Sequence, residues 1–174
     1  MGRDIITLDD LTVNNLGTFK KLILVTLPTT YPESWYKDSL NSDQIVKIAF
    51  YSELPVGEIK GKLINSSHNI PTFEVASAVQ LNSKIIPNAV YLESLSVLEA
   101  YRALGIGSKL LNWAIEEAKQ RFVHEIVLHV HVDNTAAIEW YKKKGFSQVG
   151  EKVVNYYKEQ GLENPDAVIL SLKF

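Results

Sequence analysis

The residues best suited to chemistry lie in the run Arg102-Ala103-Leu104-Gly105-Ile106-Gly107. The apolar stretch Ala89 to Leu98 precedes it and reads as a strand, while Leu110, Leu111, Ala114, Ile115 and Ala118 follow at helical spacing. A strand, a glycine-bearing loop and a helix start together form an anion site. The first N–H groups of a helix have no intrahelical acceptor, and the helix dipole favours negative charge there. Gly105 and Gly107 let a phosphate approach the backbone with no Cβ in the way, and Arg102 adds a charge-assisted contact. Neither Gly-x-x-x-x-Gly-Lys-Ser/Thr nor Gly-x-Gly-x-x-Gly occurs. The same spacing also suits a helix-start loop without a ligand, so the surrounding elements must decide.

Other residues carry two readings each. His129 and His131 share one face of a strand and could hold a metal, yet no third ligand is evident. Taken singly, Tyr91, His129, Trp140-Tyr141 and Tyr156-Tyr157 suit ordinary packing, and Asn134 suits a helix cap with no ligand. Lys142-Lys143-Lys144 reads as a solvated helix end that complements the dipole, with ribosomal RNA contact as the second reading.

The bulk composition narrows the class. With 174 residues the chain is read as a single domain, 1–174, with 46% hydrophobic and 22% charged residues as in soluble globular proteins. A net charge of −2 argues against a protein whose main business is neutralising nucleic-acid phosphates. The absence of cysteine excludes a disulfide framework, a thiolate zinc site and a cysteine nucleophile, and fits a reducing, cytoplasmic compartment. No apolar run reaches membrane-span length, and Met1-Gly2-Arg3-Asp4 leads into a charged, alternating segment unlike a signal peptide. Ile6 stands where myristoylation wants Ser or Thr.

The elements that must position these residues follow from periodicity and punctuation. A strand is expected over Asp4 to Leu8, then a helix from Val13 to Thr26 with Thr12 as N-cap and Pro28 beyond its end. Pro32 suits the first turn of a short helix reaching Leu40. Strands follow at Ile45 to Tyr51 and Val56 to Ile64 about a turn at Ser52 to Pro55. An extended loop or extra hairpin is expected at about 65–88, with Pro71 to Leu81 as its strand. Then come a strand at Ala89 to Val97, a helix at Ser108 to Gln120, a strand at Glu125 to Val132, and a helix capped by Asn134 or Thr135 and ended by Gly145. Phe146 to Val154 and Ala167 to Leu172 read as a closing antiparallel pair. Only two connections are helical crossovers, so the expectation is an α/β fold with a mixed central sheet flanked by helices.

This order of elements, with Arg102-x-x-Gly105-x-Gly107 after the fourth core strand, resembles the GNAT superfamily of N-acetyltransferases. Within it the chain is most similar to the NatE-type N-terminal acetyltransferase. The resemblance is carried by Leu27-Pro28-x-x-Tyr31, Tyr51-x-x-x-Pro55-Val56-Gly57, Tyr101-Arg102-x-Leu104-Gly105-Ile106-Gly107 and Leu128-His129-Val130. Further matches are Asn134-x-x-Ala137-Ile138-x-x-Tyr141, Lys144-Gly145-Phe146 and Asn155-Tyr156-Tyr157-Lys158. Nearly the whole chain is covered except Asn65 to Asn88.

The resemblance implies transfer of acetyl from acetyl-CoA to the α-amino group of chains that start with Met, by direct attack in a ternary complex and without a metal. It implies that Tyr91 and His129 act together as base through an ordered water, and neutral histidine has a suitable pKa range for this. Leu95 would offer its N–H to the acetyl oxygen, and Val97 would pair with the pantetheine arm. Arg102, Ala103, Leu104, Gly105, Ile106 and Gly107 would hold the phosphates, and Asn134 would contact pantetheine. Tyr141 would sit near the sulfur and donate a hydrogen bond to the leaving thiolate. Leu27, Pro28, Thr29 and Tyr31 would face Tyr156 and Tyr157 across the substrate.

The chain departs from its relatives at Leu27, where they carry an aromatic, and at Thr29 and Glu93, where they carry apolar residues. Glu93 should lie on the Tyr91 side of the strand by alternation, where a carboxylate attracts an α-ammonium, serves as an extra base or reaches solvent. These departures keep a lysine or small-amine acceptor open as an alternative. A second alternative is a weakly active subunit bound to the ribosome-associated NatA complex. The implied partners are a nascent polypeptide N-terminus and the large auxiliary subunit of NatA, and through it the ribosome. No membrane and no sequence-specific nucleic acid are expected.

Overall fold

The computed structural model describes residues 5–27, 30–65, 87–158 and 164–174. The N-terminal strand β1 spans Ile6–Asp9, and helix α1 spans Leu16–Thr26. The helix starts three residues later than expected from Thr12. Thr12 Oγ1 instead accepts from the Asn14 N–H at 3.3 Å, and Asn15 Oδ1 accepts from the Thr12 N–H at 2.7 Å. These short side-chain bonds close a turn that competes with helix. Asn15 therefore stands at the N-cap position without capping. Leu27 ends the helix in an extended conformation, as the proline after it requires. Helix α2 (Glu33–Asp38) is shorter at both ends than expected, with Pro32 at its N-cap position instead of inside the first turn.

Strands β2 (Gln44–Tyr51) and β3 (Leu54–Ile64) form a hairpin about Ser52, whose φ is +57°. The expected turn is shortened because Leu54 and Pro55 join the strand, opposite Tyr51 and Phe50. A register shift between Ala49 and Phe50 accompanies the entry of Pro55, which has no N–H for the ladder. Strand β4 spans Ala89–Val97, helix α3 Ile106–Gln120, strand β5 Glu125–His131 and helix α4 Thr135–Lys143. Helix α3 starts two residues before the expected Ser108. Asn134 caps α4 by accepting from the Ala137 N–H at 3.2 Å. The long strand expected over Phe146 to Val154 is not formed. It reduces to β6 (Ser147–Gln148) and a single bridge between Val153 and Ala167, because the chain turns at Gly150 with φ +67°. Strand β7 spans Ala167–Lys173. Most of the loop or hairpin expected at 65–88 lies outside the described residues.

The sheet order is β1-β2-β3-β4-β5-β7-β6. Pairing is antiparallel for β1–β2, β2–β3, β5–β7 and β6–β7, and parallel for β4–β5, so the sheet is mixed as expected. The parallel ladder is short. It pairs Val90 with Ile126 and Tyr91 with Val127, then stops six residues before β4 ends.

The chain forms two compact units, with β3 and β4 each passing from one to the other. The first takes the described residues up to Lys62 together with Ser94–Glu117. Its core joins Phe19, Leu22, Ile23, Trp35, Tyr36 and Ile48. The second takes the described parts of Leu63–Glu93 together with Ala118–Phe174, and in it Ile64, Ala89, Tyr91 and Val127 cluster against Ile169. Among the described residues no helix is long and apolar enough to cross a membrane.

Candidate active site

In the second unit, three aromatic side chains form a polar chain inside an apolar setting. The Tyr91 hydroxyl lies 2.7 Å from His129 Nδ1 and 2.8 Å from the Tyr156 hydroxyl. The Tyr156 ring stacks on the His129 imidazole at 3.9 Å with 6° between planes. Each hydroxyl has one proton to give, so the chain has a single direction at any moment. With Nδ1 unprotonated, Tyr156 donates to Tyr91 and Tyr91 donates to His129.

Burial sets the electrostatics. It lowers the His129 pKa to about 4, so the ring is neutral at neutral pH. This takes His129 well below the range that suits a base matched to pH 7. Burial also raises Tyr156, and the charges of Tyr157 and Glu93 add to that. Burial pushes Tyr157 up to about 12.

A local frame holds Tyr156 and Tyr157. Asp166 Oδ1 accepts from the Asn155 N–H at 2.8 Å, and its other oxygen pairs with Lys152 at 3.0 Å. The Tyr157 N–H donates to the Pro165 carbonyl at 2.7 Å. Asn155 has φ +60°, a conformation that asparagine tolerates better than most residues. The structure thus gives Tyr156, expected on the substrate side, a place in the hydrogen-bonded chain.

His131 is accounted for differently. Its Nε2 donates to the Asn164 carbonyl and its Nδ1 accepts from the Asp133 N–H at 3.3 Å. Both ring nitrogens are engaged, which removes the paired-histidine metal reading. Among the described residues no group of three or more metal-ligating side chains exists. Tyr141 is buried against Trp140 and Phe146, with ring centroids 5.0 and 5.2 Å away.

In the first unit, the loop before α3, expected to hold phosphates, turns through left-handed backbone. Ala103 and Gly105 both have positive φ, +63° and +86°, and the Lys109 N–H closes the first helical bond on the Gly105 carbonyl at 3.0 Å. The first turn of α3 therefore presents N–H groups that the helix itself cannot satisfy. A side chain on Gly105 would meet no atom within 4 Å, so the glycine is required by backbone conformation. Arg102 Nε donates to the Val97 carbonyl at 2.9 Å. Pairing of a pantetheine arm with Val97 would thus use its N–H or displace Arg102. Leu27 and Tyr31 pack against the core, and Tyr31 stacks on Trp35 at 3.8 Å. Pro28 and Thr29 lie outside the described residues.

One group escaped sequence reasoning. Glu58 on β3 is fully buried and accepts from Ser94 Oγ and Ser96 Oγ, both at 2.8 Å. Desolvation raises its pKa to about 7, against the opposing effects of the two hydroxyls and Lys60. Lys60 is also buried, its ammonium 4.2 Å from the Trp35 ring centroid. Alternating Glu58-x-Lys60-x-Lys62 reads as a solvent face. Only the Ser-x-Ser spacing of Ser94 and Ser96 hinted at polar partners.

The model of the acetyltransferase (GNAT) family matches residues 20–146. The chain belongs to the GNAT acetyltransferase family. It is 31% identical to N-alpha-acetyltransferase 50 of Danio rerio over 95% of this chain and 86% of that protein. It is 32% identical to a Drosophila melanogaster protein named Probable N-acetyltransferase san, over 98% of this chain and 82% of the relative. Among solved structures it superposes on Arabidopsis thaliana Naa50 in complex with the bisubstrate analogue CoA-Ac-MVNAL. The TM-score is 0.78 with 30% identity, covering 98% of this chain and 100% of that one. The chain is an acetyl-CoA-dependent N-alpha-acetyltransferase, similar to N-alpha-acetyltransferase 50.

Proposed function

We propose that the protein acetylates the α-amino group of polypeptides that begin with methionine, by direct attack on acetyl-CoA. The observation that carries the reaction is the hydrogen-bonded chain Tyr156–Tyr91–His129 with a neutral imidazole at its end. An α-amino group has a pKa near 8, so releasing its proton at pH 7 costs about 1.4 kcal/mol. That step needs no strong base. As the amine nitrogen bonds to the thioester carbonyl carbon it becomes positively charged, and one of its two remaining protons becomes far more acidic. A weak acceptor such as His129, reached through Tyr91 and a water, then suffices. The C–S bond breaks, the departing thiolate accepts a hydrogen bond from the Tyr141 hydroxyl, and it is reprotonated from solvent. The Leu95 N–H stabilises the carbonyl oxygen while it carries charge. The loop Arg102–Gly107 and the start of α3 bind the phosphates, and Asn134 contacts pantetheine.

The preference for methionine rests on the likeness to the Arabidopsis enzyme, whose bound analogue carries the peptide MVNAL. The resemblance assigns Leu27, Pro28, Thr29, Tyr31, Tyr156 and Tyr157 to the substrate side, residue types that suit a neutral side chain at a chain end. We further propose a cytoplasmic enzyme that meets nascent chains and docks on the large auxiliary subunit of the NatA complex. Copurification of that subunit with the tagged chain tests the docking.

The activity is tested with acetyl-CoA and peptides starting Met-Leu, Met-Lys, Ser and Glu, plus a blocked peptide with an internal lysine. Turnover on the free Met-starting peptides is expected. Turnover confined to the blocked lysine peptide would assign a side-chain acceptor instead.

A further inference from the structure

Glu58 and its neighbour Gly57 act on the same short piece of β4 from opposite sides of β3. On one side the two carboxyl oxygens of Glu58 each take one hydroxyl, Oε2 from Ser94 and Oε1 from Ser96. On the other side Gly57 lets the backbone approach. A Cβ there would stand 2.9 Å from the Ser96 carbonyl oxygen and 3.3 Å from Val97 Cγ2. The segment so fixed, Ser94 to Val97, contains the backbone groups of Leu95 and Val97. Ser94 and Ser96 straddle Leu95, so the carboxyl group ties down both neighbours of one peptide N–H.

The arrangement is costly for simple packing. A carboxyl group with no solvent exposure is unfavourable to ionise, and an apolar pair would fill the same space without that penalty. What the polar version supplies is directional. Two hydrogen bonds of 2.8 Å to residues i and i+2 of one strand fix its rotation as well as its distance. Lys60, two residues along β3, and Tyr36 on α2 are the other ionisable groups that sense the carboxyl charge.

The geometry points to Glu58 as a positioning residue for acetyl transfer: by holding Ser94 and Ser96 it sets the Leu95 N–H where the acetyl oxygen develops charge. This rests on the proposed role of Leu95 and extends it to a residue that touches neither substrate. Misplacing a preorganised donor slows the chemical step more than it weakens binding. Glutamine can still accept from one hydroxyl and donate to the other, whereas alanine leaves both without a partner.

The test compares Glu58→Ala, Glu58→Gln and Ser94→Ala/Ser96→Ala on the full chain, with kcat, KM for acetyl-CoA and the 15N amide signal of Leu95 as readouts. Glu58→Ala is expected to lower kcat about tenfold with KM for acetyl-CoA within twofold. Glu58→Gln is expected to keep at least about a third of kcat. The double serine variant, which leaves Glu58 in place, should reproduce the alanine loss if Glu58→Ala does not fold. The Leu95 amide separates two failures. If it does not respond to acetyl-CoA in the wild type, the role of Leu95 is wrong. If it responds equally in wild type and the alanine variants, with kcat unchanged, Glu58 is structural only.

Discussion

Tyr156 lies flat against His129, ring on ring at 3.9 Å and 6°, while its hydroxyl reaches past the imidazole to Tyr91. One residue thus shields the histidine from water and extends its hydrogen-bond chain. The shielding explains why His129 stays neutral, and neutrality lets Nδ1 accept from Tyr91.

Removing either inner member of this chain should slow the chemical step. His129→Ala and Tyr91→Phe are each expected to lower kcat by about 100-fold, within the usual range for general acid–base groups. Affinity for acetyl-CoA should stay nearly constant. Calorimetric titration with acetyl-CoA beside steady-state kinetics checks both. Equal loss of binding and turnover would make these residues structural.

The rate should titrate with the substrate and not with His129. A neutral His129 down to a pH of about 4 has no ionisation near 7. Therefore kcat/KM should rise with pH toward the amine pKa, near 8, as a single ionisation. A peptide with a less basic α-amine should shift the curve to lower pH. A limb fixed near 6.5 for every peptide would show a histidine titrating in its ordinary range.

Gly105→Val should weaken acetyl-CoA binding and also destabilise the fold. A branched side chain at φ +86° costs on the order of 1 kcal/mol even where space is open. Affinity measured by titration and Tm measured by calorimetry separate the two effects. Undiminished affinity would remove the loop from the phosphate site.

Stability should respond to pH through Glu58 in a direction opposite to most carboxylates. Its folded pKa of about 7 lies above the ordinary value of 4.5, so the folded state holds the proton more tightly. The contribution is fully present below about 4.5 and is lost as pH rises to about 7, about 3 kcal/mol in all. His129 runs the other way, because its lowered pKa makes acid destabilising between about 6.5 and 4. The difference in Tm between Glu58→Gln and wild type isolates the first effect. It should grow in favour of the variant from pH 5 to pH 8.

Helix α3 offers a test of backbone strain away from the site. Phe122 stands just past its end at φ +61° with 87% exposure, and the Val123 N–H reaches back to the Ala118 carbonyl at 2.9 Å. This is the helix-ending turn that glycine usually fills. Phe122→Gly should stabilise by about 1 kcal/mol, or about 2–4 °C in Tm, with kcat unchanged.

Much of this was legible in the residues. Periodicity located β4 to the residue and α3 to within two, because both carry long apolar patterns. Asn134 announced its cap and Gly145 the end of α4. Two kinds of feature were not legible. Local competition moved the start of α1 past Thr12, and Gly150 broke the strand expected from Phe146. Burial was the larger blind spot. Glu58 and Lys60 look solvent-facing in a row of alternating charges, and the lowered pKa of His129 comes from burial beneath groups that include a ring twenty-seven positions later in the chain. Such facts belong to the folded arrangement and leave no periodic trace.

The position of β7 has a consequence for how the enzyme comes into being. Ala167–Lys173 inserts between β5 and β6, with Ile169 directly opposite His129. The inner edge of β5 thus waits for a strand that the ribosome makes after every other described element. Until then His129 has no antiparallel neighbour and Asn155 lacks the carboxylate of Asp166. Both the cross-strand partner of His129 and the anchor of the Asn155 turn therefore arrive with one late strand, so this part of the second unit can assemble only after β7 has been made.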